Sequence, residues 1–157
     1  MNKTIQPAPV RRTVAVKAPP QRAFEVFTSG IGRWWPKSHH IGPVDPETVI
    51  IEPRDGGRWF ERSPDGSECE LGKVLVWDPP SRLVLVWQLT AEWRYDADLI
   101  TEVEVRFIAE GESSTRVELE HRHLERLGDT AEALRKSIDA PSGWGLILGL
   151  YAQAASQ

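Results

Sequence analysis

Between Leu99 and His123 apolar and charged residues alternate so regularly that two antiparallel strands, one face wet and the other buried, are the arrangement that satisfies both sets. Leu99, Thr101, Val103, Val105 and Phe107 alternate with Glu102, Glu104 and Arg106, and Val117 and Leu119 alternate with Arg116, Glu118 and Glu120. A turn centred near Gly111–Glu112 predicts the register: Phe107 against Val117, Val105 against Leu119, Val103 against His121 and Thr101 against His123. A slip of one residue would turn every apolar side chain to water. The parity therefore sets both histidines on the buried face.

Such a face needs cover, and the end of the chain supplies it. Trp144, Ile147, Leu148, Tyr151 and Ala155 fall on one apolar stripe of a helix that Ser142 would cap. The stretch Pro141–Gln157 carries no charge, but its apolar part, Trp144–Ala152, holds Gly145 and Gly149 and falls short of the roughly 20 residues that a membrane span needs. It reads as a buried helix.

Upstream, Val10–Lys17 reads as a first strand, and Pro19-Pro20 suits the first turn of a helix with Ala23, Phe24 and Phe27 at helical spacing. Gly30 and Gly32 end it, a short helical turn closes on Trp34-Trp35-Pro36, and Lys37–Pro46 reads as a loop carrying His39 and His40. Four strand-like runs follow, Glu47–Arg54, Gly57–Ser63, Glu68–Trp77 and Arg82–Thr90, separated by Asp55-Gly56-Gly57, Pro64-Asp65-Gly66 and Asp78-Pro79-Pro80-Ser81 turns. Ala91–Asp98, with Trp93, is a connection or a bulged strand end. Asp129-Thr130-Ala131-Glu132 predicts the capping-box start of a short helix. The expected architecture is α+β: a flexible segment over residues 1–9, then one domain over residues 10–157.

With 157 residues and no break in composition the chain fits one core with room for a modest cavity. A net charge of -4 gives no footprint for nucleic acid, and the Arg11-Arg12 pair neutralises too few phosphates to hold a duplex. The single Cys69 cannot form an intramolecular disulfide, and Met1–Pro9 lacks the apolar core of a signal peptide, so a cytoplasmic location is expected. No G-x-S-x-G, P-loop, G-x-G-x-x-G or H-E-x-x-H motif occurs.

The element order, together with Ala23-Phe24-Glu25-Val26-Phe27, Arg33-Trp34-Trp35, Gly56-Gly57-Arg58-Trp59, Gly72-Lys73-Val74-Leu75, Glu120-His121-Arg122-His123-Leu124 and Ser142-Gly143-Trp144, resembles the START-like (SRPBCC) superfamily. Within it the chain is similar to the branch related to the C-terminal domain of the activator of heat-shock-chaperone ATPase, over about Val10 to Ala155. The resemblance implies a helix-grip fold: a curved antiparallel sheet of six to seven strands around a long C-terminal helix, with two short helices after the first strand and a cavity between sheet and helix. It brings no shared catalytic residue.

Within that implied cavity, His121 and His123 could share a metal, contact a ligand, or serve only as hydrogen-bonded strand-end residues. A metal would need a third ligand from His39, His40, Asp96, Asp98 or Cys69, none at a diagnostic spacing, and neither metal nor cofactor is assigned. Seven tryptophans are many for this length. Some must fill the core, and Trp35, Trp93 and Trp144 are the expected pocket rings, with Trp87 on a strand apolar on both faces. The full expected site is Trp35, Trp87, Trp93, Thr101, Val103, His121, His123, Trp144, Leu148 and Tyr151. Tyr151 would hydrogen-bond a cavity group or a ligand, or reach the surface; His39 and His40 are expected in a solvated loop by the cavity entrance. The expected partner is a small apolar, aromatic or polycyclic molecule, with no nucleic acid and no membrane. A cyclase- or hydratase-type enzyme using a cavity histidine, a chaperone-interacting module, and a homodimer through an edge strand or the last helix stay open.

Overall fold

The computed structural model describes residues 8–36, 38–42 and 44–156. Residues 1–7 of the expected N-terminal segment lie outside the described residues. Strand β1 (Val10–Val16) leads to α1 (Pro20–Phe27) and the short α2 (Ile31–Trp34). Strands β2 (Thr48–Ile51), β3 (Arg58–Arg62), β4 (Glu68–Asp78), β5 (Arg82–Trp87), β6 (Thr101–Gly111) and β7 (Ser114–Arg122) then form a meander. A 3-10 stretch (Leu124–Thr130), α3 (Ala131–Asp139) and α4 (Trp144–Ala155) complete the chain. The seven strands form one antiparallel sheet in the order β1-β7-β6-β5-β4-β3-β2, curled around α4 in a helix-grip arrangement.

Pairing of β6 with β7 follows the register read from the alternation: Phe107 opposes Val117, Val105 opposes Leu119 and Val103 opposes His121. The fourth expected pair does not form. β7 ends at Arg122, and His123 turns out of the sheet with φ 63°. The register shifts in β3, β4 and β6, and such bulges give a sheet its curl.

The five stripe residues of α4 are its buried ones and face the sheet and α1. Neither predicted cap forms: Gly143 and Thr130 occupy the N-cap positions of α4 and α3 without a capping side-chain hydrogen bond, the Thr130 hydroxyl donating back to the Leu127 carbonyl. The segment after β5 is a loop folded back on the strand. The Gln88 carbonyl accepts from the Asp96 N–H, and the Gln88 side-chain amide donates to the Ala97 carbonyl at 3.0 Å.

The outer face of the sheet is held by charge. Glu104, 6% exposed, accepts from Arg82 and, at 2.6 Å, from Arg122. Burial alone would raise its carboxyl, but the two guanidiniums outweigh burial and bring it down to about 2. No helix among the described residues is long and apolar enough to cross a membrane.

Candidate functional site

A cavity of about 570 Å³ opens between the concave face of the sheet, the loop before β2, and the junction of α3 with α4. Its wall is built on a closed cycle of four indoles. Trp35 lies 5.9 Å from Trp59, Trp59 5.8 Å from Trp87, Trp87 5.6 Å from Trp144, and Trp144 6.3 Å from Trp35, all edge to face. Each such pair adds about 0.5–1.5 kcal/mol to the area it buries.

The four rings come from four separate elements, so only the folded chain assembles them. Gly72 makes the approach of two of them feasible. It pairs with Trp59 on one side and Trp87 on the other, and a Cβ there would lie 1.7 Å from the Val86 carbonyl oxygen. Trp93 extends the cycle from the rim, 6.4 Å from Trp87, with φ 62° and 43% of its surface exposed.

Behind this wall His121 is fully buried at the centre of a hydrogen-bond chain. Trp144 Nε1–H donates to His121 Nδ1 at 3.2 Å, which makes Nδ1 the unprotonated nitrogen. His121 Nε2–H then donates to Thr101 Oγ1 at 2.9 Å, and the Thr101 hydroxyl donates to the Trp87 carbonyl at 3.0 Å. Only the neutral imidazole fits this chain. Burial pushes its pKa down to about 3, in the same direction. The histidine thus orients two indoles of the wall and has no nitrogen left for a ligand.

The mouth is polar. His39 Nε2–H donates to the Ser142 carbonyl at 2.6 Å, and Nδ1 lies 3.0 Å from Ser38 Oγ. The Trp35 indole N–H donates to the His39 carbonyl at 3.1 Å. His40 Nδ1 lies 2.9 Å from the Gly42 carbonyl and Nε2 3.2 Å from Asp45, so the ring donates to both only when doubly protonated. This loop rests on Glu61 of β3, 1% exposed, whose carboxylate accepts the backbone N–H of Ile41 at 3.1 Å and of Gly42 at 2.6 Å. Lys136 and Ser137 of α3 complete the rim.

Of the residues expected to form the site, Trp35, Trp87, Trp93 and Trp144 line the cavity. Thr101, Val103, His121 and Leu148 are buried but do not line it. The expectations for His123 and Tyr151 are corrected. His123 sits beyond the strand end, 38% exposed, 3.8 Å from Glu102 and 3.6 Å from Glu125, because the left-handed backbone breaks the alternation that would have turned it inward. Tyr151 neither reaches the surface nor faces the cavity: its hydroxyl donates to the Ala23 carbonyl at 2.7 Å, and burial raises its pKa.

Among the described residues no three His, Cys, Asp or Glu side chains come together as metal ligands. His39 and His40, expected in a solvated loop, line the cavity wall. Sequence reasoning missed Trp59, Glu61 and Lys136. For Glu61 a signal existed: it shares strand parity with Trp59, and a carboxylate on an inward face must hold something.

The model of the family described as Activator of Hsp90 ATPase homolog 1-like protein matches residues 17–151. Among solved structures the chain is similar to an anthrahydroquino-Gama-pyrone synthase, with 40% identity over 92% of this chain and 95% of that one and a TM-score of 0.65. It is also similar to CalC, a self-sacrificing resistance protein from Micromonospora echinospora, with 32% identity over 94% of this chain and 93% of that one and a TM-score of 0.70. An Hsp90 activator from Plasmodium falciparum shares 19% identity over 73% of this chain and 71% of that one, with a TM-score of 0.50, a likeness of fold alone. No curated protein sequence matches the chain.

Proposed function

The chain belongs to the family of Activator of Hsp90 ATPase homolog 1-like proteins, and from that premise we propose that it binds a flat, largely apolar, polycyclic aromatic molecule in the cavity between sheet and α4. The observation that carries this reading is the cluster of Trp35, Trp59, Trp87 and Trp144, packed edge to face in the wall of a cavity of about 570 Å³. That volume lies within the roughly 300–1,000 Å³ of small-molecule sites, and edge-to-face indoles present the planar walls on which a fused ring stacks. The test is calorimetric titration with a tricyclic quinone and with an aliphatic molecule of equal volume. The quinone should bind and the aliphatic should not, and Trp35→Ala should weaken the quinone at least tenfold. Equal binding of the two would sink the aromatic reading.

A second reading, that the chain transforms such a molecule, is favoured by the 40% identity with a synthase of a polycyclic pyrone. The histidines within its reach are His39 and His40, which line the cavity, and not His121, which is fully buried behind the wall and does not line it. Turnover of a polycyclic substrate that is lost in His40→Gln while binding is retained would support it. A chaperone partner, which the family description allows, is tested by the same purified protein: co-elution with the chaperone in the presence of saturating quinone would show a surface independent of the cavity.

A further inference from the structure

The cavity lining contains no carboxylate, one ammonium and two imidazoles, in a chain whose net charge is -4. The imidazoles are engaged within the protein: His39 between the Ser142 carbonyl and Ser38, and His40 between the Gly42 carbonyl and Asp45. Lys136 is different. It stands at the rim in the last turn of α3 and makes no ion pair among the described residues, whereas its neighbour Arg135 bonds the Ala8 carbonyl and Asp139, and Arg12 also pairs with Asp139.

Apolar walls cannot hold an ionised group, so any charge on the ligand must sit at the mouth. A cleft with low-dielectric walls and one sign of charge at its rim concentrates ligands of the opposite sign. We propose that the ligand is an acid: a planar aromatic whose fused rings fill the indole-walled cavity and whose anionic oxygen, a carboxylate or an ionised phenol, pairs with Lys136. This rests on the cavity reading above and narrows it to a substrate class.

The probes are anthraquinone-2-carboxylate and its neutral isostere anthraquinone-2-carboxamide, titrated calorimetrically into the full chain at low salt. The carboxylate should bind about three- to fivefold tighter, the advantage one partly exposed ion pair gives, and the difference should shrink as salt is added. Lys136→Gln should abolish the preference for the carboxylate over the carboxamide, and Lys136→Arg should keep it. Equal affinities in the wild type, or a preference that survives Lys136→Gln, overturns the acidic ligand while leaving the cavity reading in place. Binding of neither probe overturns the cavity reading and the acid with it.

Discussion

His121 shows how a single buried residue can look functional in a sequence and be structural in the fold. Its two nitrogens are spent on Trp144 and Thr101, so its contribution is to fix indoles, and that contribution depends on its being neutral. Its folded pKa, about 3, lies below the ordinary histidine value of 6.5, so between these values the unfolded chain binds a proton that the folded chain refuses. Stability from this group is fully present above pH 6.5 and falls with acid, by about 1.4 kcal/mol per pH unit. Glu104, brought down to about 2, adds its own loss only as pH falls below the ordinary glutamate value of 4.5. Urea titrations between pH 6.5 and 4.5 should therefore show the decline in the wild type and a flat profile in His121→Gln, which should also be about 1–3 kcal/mol less stable at pH 7.5. An unchanged slope in the variant would place the acid sensitivity elsewhere.

At the level of elements, the loop before β2 matters most, because its described residues form no helix or strand yet make one side of the cavity mouth. Three attachments hold it: the Trp35 indole to the His39 carbonyl, the His39 ring to the Ser142 carbonyl, and the Glu61 carboxylate to two backbone amides. Glu61→Ala should release the third at a cost of about 1–3 kcal/mol. Hydrogen exchange at the Ile41 and Gly42 amides should quicken, with the β6–β7 amides unaffected. In Glu61→Gln one carbonyl oxygen remains to accept, and the effect should be smaller. Uniform quickening across the sheet would mean that Glu61 supports the whole fold rather than the loop. The missing caps of α3 and α4 belong to the same scale: the carbonyl of Ser142 is taken by His39, and the start of α4 is fixed by this contact and by the burial of Trp144 instead of by a serine hydroxyl.

For the molecule as a whole, the cavity ties stability to occupancy. A ligand that binds only the folded chain adds about 2.7 kcal/mol at a hundred times its dissociation constant. Thermal unfolding with the tricyclic quinone should show a rising midpoint in the wild type, and at the same quinone concentration the rise should be about half as large or less in Trp35→Ala whatever that variant's own midpoint is; a midpoint indifferent to quinone would remove the cavity as its site. Local periodicity in the chain is enough to read the β6–β7 register, in which a slip would expose Val103, Val105, Leu119 and Phe107, and the stripe of α4 from Trp144 to Ala155. Trp35, Trp87, Trp93 and Trp144, expected at a cavity that the resemblance implied, line the cavity between sheet and α4, although strand parity left the face of Trp87 open. What only the tertiary structure decided are contacts between residues distant in the chain. Strand parity brought His121 inward but could not show that Trp144 and Thr101 consume its nitrogens, nor that the left-handed turn at His123 ends the alternation. Strand parity puts Glu61 on the same face as Trp59, but that its carboxylate holds the Ile41 and Gly42 amides, and that Lys136 of α3 stands at the cavity, come from packing between distant segments.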